Sequence, residues 1–304
     1  METYLVLPLA LLLDRWLGEP TRLHPLVGFG NIANALEKHL NNQVFFRGVI
    51  AWVITVIPIT LMVYSLDQWL GGLWLSVIAG WLAIGWKSLR QHGLAVAHAF
   101  KNNDLREARL RTAYLVSRDT AALDETALSK ATIESLLENG SDAIVAPLFW
   151  LALFGAPGVI FYRLCNTLDA MWGYRHSRFE QFGKFTAIMD DILNYIPARI
   201  TALLYLIFGH SQSAWQAWQT QGTLWYSPNA GIVMASGAGA LGLSLGGDAV
   251  YQGEVKHRLC LGAGHQPLAK DIDHAIRLVD KSIVALLSLP LILLGLHSAY
   301  DYFT

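Results

Sequence analysis

The chain has 304 residues and a formal net charge of −1 at pH 7. Hydrophobic residues make up 54% of it and charged residues only 15%, a balance typical of a membrane protein rather than a soluble domain. A net charge near zero without a basic block gives no footprint for nucleic acid, so we expect no nucleic-acid partner. The two cysteines form no CxxC pair and predict neither a disulfide framework nor a zinc site.

The apolar segments predict an all-α fold, a polytopic helical bundle with a large polar helical connection. The first segment has no basic region and no cleavage site, so we interpret it as a retained helix rather than a signal peptide. Segments near ~20 residues could cross the ~30 Å hydrocarbon core, and shorter ones need another role. The segments cover residues 4–17, 48–66, 69–86, 143–162, 195–208, 231–246 and 282–296.

The placement of basic residues predicts a topology, because Lys and Arg accumulate on the cytoplasmic side of short loops. Arg22, Lys38 and Arg47 follow the first segment, and several basic residues lie in the connection 87–142. The short link at 67–68 carries none. We therefore expect an outside N-terminus, a cytoplasmic first loop, a membrane hairpin over residues 48–86 and a cytoplasmic connection after it.

The segment 143–162 is interrupted at its centre by Gly155, Ala156, Pro157 and Gly158. A re-entrant hairpin turning there would return the chain to the cytoplasmic side. A kinked full span is the alternative, since Pro and Gly are common in membrane helices. Non-helical backbone at membrane depth is tolerated only where it is buried in protein or lines a cavity, so a hairpin would indicate a site.

The stretch "LDETALSKATIESLLENGSD" predicts a helix with Asp124 as its N-cap and a C-terminal end at Asn139 and Gly140. Glu134 and Glu138 then lie on one face of its last turns. Like charges four residues apart and anions near a helix C-terminus are both destabilising. A nearby metal ion or arginine would compensate them, and a solvated acidic face is the alternative.

A second acidic group, Asp190, Asp191 and Asn194, falls within one helical turn before Pro197. Carboxylates at a membrane boundary are costly and therefore tend to mark cavities or sites. Adjacent aspartates with a nearby asparagine are suitable oxygen ligands for Mg²⁺, although an Asp pair alone is weak evidence.

Two glycine patterns need separate interpretation. Gly237, Gly239 and Gly242 satisfy G-x-G-x-x-G, but no strand precedes them, so we expect no dinucleotide site. The pairs Ala235–Gly239 and Gly242–Gly246 instead have the small-xxx-small spacing that predicts close helix packing. No Walker A sequence occurs in the chain. The stretch "SPNAG", residues 227–231, predicts a turn whose backbone amides could face an anion, with a simple helix cap as the alternative.

Several long motifs occur in one order along the chain. They are "GEPTRLHPLVGFG", "SRDTAALDETALSKATIESLLENGSDAIVAPLFW", "YRLCNTLDAMWGYR", "FGKFTAIMDDILNYIPARIT" and "SPNAG" followed by "LGLSLGG". In this order they resemble the CbiB/CobD family of cobalamin biosynthesis membrane proteins, the adenosylcobinamide-phosphate synthases. The resemblance covers nearly the whole chain.

The resemblance implies an ATP-dependent amide synthesis by one membrane-embedded catalytic domain, residues 1–304, with polar connections 87–142, 163–194 and 247–281. The family joins a propionate carboxylate of adenosylcobyric acid to (R)-1-aminopropan-2-ol or its O-phosphate. We expect an acyl phosphate intermediate, Mg²⁺ with ATP as co-substrate and a multi-pass location in the cell (inner) membrane. The lipid bilayer and other late cobalamin-pathway membrane enzymes are further expected partners.

The resemblance also suggests roles for the polar residues. Each arginine has an ion pair with one of the acids as its alternative role. The catalytic candidates are Glu134, Glu138, Asp142, Asn166 and Asp169; the substrate- or phosphate-binding candidates are Arg118, Arg163, Arg175, Arg199, Ser227 and Asn229; the metal candidates are Asp190, Asp191 and Asn194.

The chain departs from the family pattern in a few places. Gly140 stands where Thr is common, Ala143 where Gly is common, and no Glu follows "SPNAG".

Two other functions compete with the synthase. One is a non-enzymatic membrane sensor resembling AmpE, and the weaker one is a corrinoid transporter. The two acidic groups, with Asn166, Thr167 and Asp169, favour the enzyme.

Overall fold

A computed structural model describes residues 2–20, 24–173, 178–251 and 253–303. The fold is all-α with minor strands, which confirms the predicted class. The helices are α1 Glu2–Leu17, α2 Pro25–Leu40, α3 Phe45–Leu70, α4 Leu73–Ala83, α5 Trp86–Lys101, α6 Leu105–Ala113, α7 Glu125–Gly140, α8 Ala146–Trp172, α9 Lys184–Phe208, α10 Ser211–Thr220, α11 Ala230–Leu241 and α12 Ala269–Phe303; the strands are β1 Leu245–Gly246, β2 Ala249–Tyr251, β3 Glu254–Lys256 and β4 Cys260–Leu261.

Three helical runs are long and apolar enough to cross a membrane. They are Phe45–Leu70, Glu125–Trp172 and Lys184–Phe208. The second run contains α7, a π-helical turn at Ser141–Val145 and α8. Length and composition are thus compatible with the predicted membrane setting.

The chain divides into two compact units. Unit 1 contains Met1–Gly85, Ala146–Asn194 and Leu287–Thr304, and unit 2 contains Trp86–Val145 and Tyr195–Leu286. The long helices α9 and α12 each contribute residues to both. The prediction of a single domain over residues 1–304 stays a prediction.

Unit 1 is built around large aromatic side chains. Trp52, Tyr162, Trp172 and Phe182 are almost completely buried in one apolar cluster. Gly48 of α3 lies so close to the carbonyl of Phe182 that any side-chain carbon there would clash with it. The apolar face of α3 is therefore held against the segment that follows α8.

The predicted link at residues 67–68 is wrong, because α3 continues to Leu70 and the chain turns at Gly71 and Gly72. Their φ angles are 82° and 71°, a left-handed conformation that glycine adopts without steric cost. The following helix, α4, has only 11 residues. At 1.5 Å per residue it extends about 16 Å, which is too short to cross a bilayer.

Helix α8 turns back at Gly155, whose φ of 61° and ψ of −146° are not helical. A Cβ on Gly158 would lie 2.7 Å from the carbonyl oxygen of Trp150, eight residues earlier. Residues eight apart in a continuous helix are separated by about 12 Å along its axis. The two arms therefore form a helical hairpin, as predicted, while its re-entry into a membrane stays a prediction.

Unit 2 is centred on α7, whose Leu128, Ile133, Leu136 and Leu137 are fully buried. The Asp124 carboxylate accepts a 2.8 Å hydrogen bond from the Ala127 N–H, which confirms the predicted N-cap.

The predicted close helix packing is confirmed at Gly239 of α11, where a Cβ would lie 2.4 Å from the Ser213 carbonyl oxygen. It is wrong for Gly242, which is the C-cap of α11, and for Gly246, which lies in β1. Gly237, which the spacing did not include, is also required by packing, because a Cβ there would lie 2.6 Å from the Leu137 side chain.

The α-helix α7 ends at Gly140, as predicted, but the chain does not leave the helical path there. The chain passes directly into the π-helical turn at Ser141–Val145. Gly140 is small because a Cβ there would lie 2.6 Å from the Tyr205 hydroxyl. That hydroxyl donates a 2.9 Å hydrogen bond to the Leu137 carbonyl, an interaction suited to a widened helical turn. The glycine at the end of α7 is therefore also required by packing against Tyr205.

The four short strands were not predicted. They form two antiparallel pairs, β1 with β4 and β2 with β3, between residues 245 and 261. Strands of two or three residues are too short to show an alternating pattern. They matter because they carry backbone and side-chain groups of the site in unit 2.

Candidate active site

The most buried charged group of unit 2 is Glu134, which is 2% exposed. Arg118 donates a hydrogen bond from Nη2 to its Oε2, and Arg258 donates to both oxygens, at 3.1 Å and 3.3 Å. The N–H of Gly246 adds a 2.8 Å bond to Oε1. We call these four residues the Glu134 cluster.

The strand segment positions Arg258. Its Nε donates to the Gly247 carbonyl at 2.9 Å, and its guanidinium lies 5.5 Å from the Trp225 ring centroid. Gly246 has a φ of 69° and approaches the Leu259 carbonyl too closely for a side chain. The β1–β4 pairing therefore brings a backbone donor and a guanidinium to the same carboxylate.

The Glu134 cluster contains two guanidinium groups and one carboxylate, so it has a formal charge of +1. Its three charged side chains are at most 9% exposed. The ε-nitrogen of Arg118 is buried and has no hydrogen-bond partner among the described residues. A water-poor site with excess positive charge and an unused donor is suited to an anionic ligand.

Arginines thus supply the compensating cation that the placement of Glu134 requires. Glu138 lies one turn further along α7 and Asp142 lies in the π-helical turn, both partly buried. Arg118 forms an ion pair with Glu134, which corresponds to the alternative to its predicted substrate-binding role. The Glu134 carboxylate balances part of the positive charge of the two arginines. The catalytic roles of Glu134, Glu138 and Asp142 stay predictions.

Unit 1 contains a hydrogen-bond chain ending on Asp190. The Asn166 and Asn194 amide nitrogens donate to its two carboxylate oxygens, at 3.2 Å and 3.0 Å. Arg163 donates to the Asn166 oxygen at 3.2 Å, and the Tyr162 hydroxyl donates to the Asn194 oxygen at 2.9 Å. We call this the Asp190 chain, and it joins four sequence-predicted site residues to Tyr162.

The Asp190 chain bears on the predicted magnesium ligands. The Asn194 oxygen accepts from Tyr162, its nitrogen faces Asp190, and the residue is 1% exposed. Within the described ranges, no group of three or more His, Cys, Asp or Glu side chains is arranged to hold a metal ion. The magnesium roles of Asp190 and Asp191 stay predictions, and the Asn194 side chain holds the Asp190 carboxylate.

Arg199 lies in unit 2 beside the "SPNAG" turn. It donates to the Asn229 side-chain oxygen and to the Tyr195 carbonyl, both at 2.8 Å, and stacks 3.5 Å from the Tyr195 ring centroid. The Ser227 hydroxyl accepts from the Ala230 N–H at 3.2 Å, at the start of α11. The N-cap of α11 is Asn229, whose side chain makes no capping hydrogen bond, so the anion-binding role of this turn and its helix-cap alternative both stay predictions.

Two further predicted site residues, Asp169 and Asp191, belong to unit 1. Asp169 is on α8 and Asp191 on α9, and both are partly buried. Arg175 lies outside the described residues, so its predicted phosphate role stays a prediction.

Sequence reasoning missed Arg258, Gly246 and Trp225. Arg258 is 124 residues from Glu134 and belongs to no recognised motif. The available signal was indirect: a buried helix carboxylate near a C-terminus requires a cation, and a polar connection rich in basic residues follows α11.

These observations define a class: an all-α protein with helices able to cross a membrane and with buried polar clusters on them. The profile of the CobD/Cbib protein family matches residues 7–279, and the chain belongs to that family.

Curated relatives agree with this assignment. The chain is 52% identical over 284 residues to the cobalamin biosynthesis protein CobD of Stutzerimonas stutzeri, covering 92% of this chain and 94% of that one. It is 50% identical over 293 residues to CobD of Chromobacterium violaceum, covering 93% and 94%. CobD of Mycobacterium tuberculosis is 37% identical over 273 residues, 87% of each chain. No solved structure matches the chain significantly.

Proposed function

We propose that the protein is an adenosylcobinamide-phosphate synthase. It would use ATP to join a propionate carboxylate of adenosylcobyric acid to 1-aminopropan-2-ol or its O-phosphate. The observation that carries this proposal is family membership over residues 7–279. The buried, positively charged Glu134 cluster supports it, because each intermediate of such a reaction bears phosphate.

The proposed reaction has two steps. A carboxylate oxygen attacks the γ-phosphorus of ATP, the bond to the bridging oxygen breaks, and ADP leaves an acyl phosphate. The amine nitrogen then attacks the acyl carbon, the carbon–oxygen bond to phosphate breaks, and the nitrogen loses a proton. Without activation a carboxylate and an amine form only a salt.

The Glu134 cluster suits the first step. Arg118 and Arg258 are fixed by one carboxylate, and Gly246 and Gly247 add backbone contacts, so the guanidiniums need little reorganisation when an anion binds. Preorganised donors in a water-poor site stabilise the charge of a transferring phosphoryl group. Glu134 thus acts by orienting the arginines.

Asp190, within unit 1, is a candidate proton acceptor. Two carboxamides fix the Asp190 carboxylate and leave about half of its lone-pair sites unused by them. A carboxylate held in this way could accept a proton from the attacking amine. Arg163 and Tyr162 fix the orientation of the two carboxamides.

The proposed reaction uses Mg²⁺ together with ATP. When bound, the metal would neutralise part of the negative charge of the ATP phosphates. Asp190 and Asp191 are the candidate ligands in the described part of the chain. A multi-pass location in the inner membrane, contact with the lipid bilayer and association with other late cobalamin-pathway membrane enzymes are also proposed.

The deciding experiment uses the full-length protein purified in detergent. It is incubated with adenosylcobyric acid, Mg-ATP and 1-aminopropan-2-ol, with or without the O-phosphate group. Mass spectrometry should show the corrinoid gaining the amine and losing one water, with one ADP formed per product. Reactions without ATP should give no product.

Folded protein that yields no condensed corrinoid with either amine would refute the synthase. The alternatives then separate readily. A transporter would move adenosylcobyric acid into proteoliposomes without changing its mass. A sensor resembling AmpE would do neither.

A further inference from the structure

The hairpin formed by β2 and β3 is held to the loop before α7 by Asp119. The Asp119 N–H donates to the Val250 carbonyl at 3.1 Å, and the Asp119 carboxylate accepts from the Gly253 N–H at 2.9 Å. Gly253 has a φ of 80°, which glycine adopts at a tight turn without steric cost. Asp119 directly follows Arg118, so the loop that supplies a guanidinium to the Glu134 cluster also holds the hairpin.

The hairpin places Tyr251 among three cations. The strand register puts Tyr251 and Lys256 on the same face of the hairpin. Arg258 donates from Nη1 to the Tyr251 hydroxyl at 3.5 Å. The centroid of the Tyr251 ring lies 5.9 Å from the Arg118 guanidinium carbon and 5.2 Å from the Lys256 ammonium nitrogen. Both ring distances are within the range of a cation–π contact, so one phenol links the Glu134 cluster to the hairpin.

This face of the hairpin forms the more solvent-accessible side of the cluster. The Arg118 and Arg258 side chains are only 9% and 8% exposed, whereas Tyr251 is partly buried and Lys256 is exposed. The charges of Lys256 and the exposed Glu254 cancel, so the formal charge of +1 on the cluster remains. A ligand that reaches the two guanidiniums from solvent would therefore be an anion that also meets the phenol.

The hydrogen-bonding capacity of the site also points to an anion. Guanidinium groups can only donate hydrogen bonds, whereas a phenol both donates and accepts. The contact from Arg258 uses a lone pair of the Tyr251 oxygen and leaves the hydroxyl proton for an acceptor. Within the described ranges, the buried ε-nitrogen of Arg118 is a second donor without a partner. An oxyanion bound by the arginines would accept from both donors.

We propose that Tyr251 is a substrate-contacting residue of this site and that Asp119 is its positioning residue. The Tyr251 hydroxyl donates a hydrogen bond to the oxyanion that Arg118 and Arg258 bind, and Asp119 fixes the hairpin that carries it. The assignment rests on the proposed function, in which this oxyanion is the phosphoryl group being transferred. The hydroxyl keeps its proton throughout, so no bond to Tyr251 forms or breaks.

The direct test measures binding of inorganic tripolyphosphate to the full-length protein in detergent by isothermal titration calorimetry. Tyr251→Phe keeps the ring and its cation–π contacts but removes the hydroxyl. We expect the affinity to fall by about tenfold, as for the loss of one hydrogen bond to a charged group, with unchanged thermal unfolding. Tyr114→Phe, at an exposed tyrosine beside the C-terminal end of α6, is the matched control and should bind as the unmodified protein does.

The role of Asp119 is tested by rescue and by coupling. Asp119→Ala removes the acceptor for the Gly253 N–H and should weaken tripolyphosphate binding by about tenfold. Asp119→Asn keeps a side-chain oxygen and should retain most of the affinity. The double variant with Asp119→Ala and Tyr251→Phe should bind no more weakly than the weaker single variant, because both changes act through one hydroxyl.

Turnover gives a second measurement. Tyr251→Phe should lower kcat for the condensed corrinoid by about tenfold and leave the KM for the amine unchanged, because the hydroxyl contacts only the phosphoryl group. Tyr114→Phe should leave both constants unchanged.

Two results would overturn the assignment of Tyr251: an unmodified protein that does not bind tripolyphosphate, or an unchanged affinity in Tyr251→Phe. Additive losses in the double variant would overturn the positioning role of Asp119. Failure of the proposed function is distinguishable from these results. If the condensed corrinoid forms at the normal rate in Tyr251→Phe, only the Tyr251 assignment fails. If tripolyphosphate binding depends on Tyr251 but no corrinoid product forms, only the synthase fails.

Discussion

Glu134 in unit 2 and Asp190 in unit 1 are carboxylates on long helices, but different groups hold them. Two guanidiniums and a backbone amide surround Glu134, whereas two neutral carboxamides bind the oxygens of Asp190. The first arrangement fixes two cations around one anion. The second arrangement fixes the orientation of one carboxylate. The difference predicts that Glu134 matters most to folding and Asp190 most to reactivity.

The largest expected stability effect follows from Glu134→Gln. The change leaves two nearly buried guanidiniums without their carboxylate, so the free energy of unfolding should fall by about 3–5 kcal/mol. Thermal unfolding in detergent, followed by tryptophan fluorescence, measures it. Glu125→Gln, on the exposed first turn of α7, is the control and should change it by less than about 1 kcal/mol. Equal melting of both variants would show that the Glu134 cluster does not support the fold.

Asp190→Asn is the corresponding substitution in unit 1. One amide donor would then face an amide NH₂, so the free energy of unfolding should fall by only about 1–3 kcal/mol. Turnover should fall by about a hundredfold or more if Asp190 accepts the proton. Product formation and thermal unfolding are measured on the same preparation. Normal turnover in a folded variant would remove Asp190 from the reaction.

Arg258→Lys tests whether geometry or charge holds the Glu134 cluster. Lysine keeps the charge but loses the paired contacts to both Glu134 oxygens and the Nε contact to Gly247, so stability should fall by about 1–3 kcal/mol. Arg111→Lys, in an exposed pair with Glu107, should cost much less. If the two substitutions cost the same, the planar guanidinium has no special role at position 258.

The smallest effect concerns pH and a third carboxylate, Glu37 of α2. Burial alone would raise the pKa of Glu37, but hydrogen bonds from Arg178 and Asn41 outweigh it and leave the pKa below 4.5. The folded pKa lies below the unfolded value, so this contribution to stability is present above about pH 4.5. It is lost as the pH falls through the lowered pKa.

Thermal unfolding of the Glu37→Gln variant between pH 3.5 and 7 checks this sign, with the pH values chosen around 4.5. The unmodified protein should lose its small advantage over the variant only at the acidic end. An advantage that instead grows as the pH falls would contradict the lowered pKa.

The sequence predicts those features that depend on neighbouring residues. Asp124 caps α7 because its carboxylate reaches a backbone N–H three residues later, and the spacing of Gly239 from Ala235 indicates the close packing at Gly239. The turn at Gly155 also follows from local composition. Such features need no knowledge of the rest of the fold.

Other features depend on distant residues and could not be predicted in this way. Gly140 has the appearance of a helix terminator, but it is small because of Tyr205, 65 positions later in the sequence. Arg258 is fixed by strands too short to give a pattern. Asn194 has the side chain of a metal ligand, yet its oxygen is used by Tyr162.

The hairpin at Gly155 has a consequence for the biogenesis of the protein. Its turn frees the Ala156 N–H, which donates a 2.9 Å hydrogen bond to the Ser76 hydroxyl of α4. In an apolar environment such a backbone group is costly without a partner. Ser76 is synthesised 80 residues before Ala156, so the acceptor is already available when the hairpin leaves the ribosome. The order of synthesis thus matches the order in which the polar groups of this turn must be satisfied.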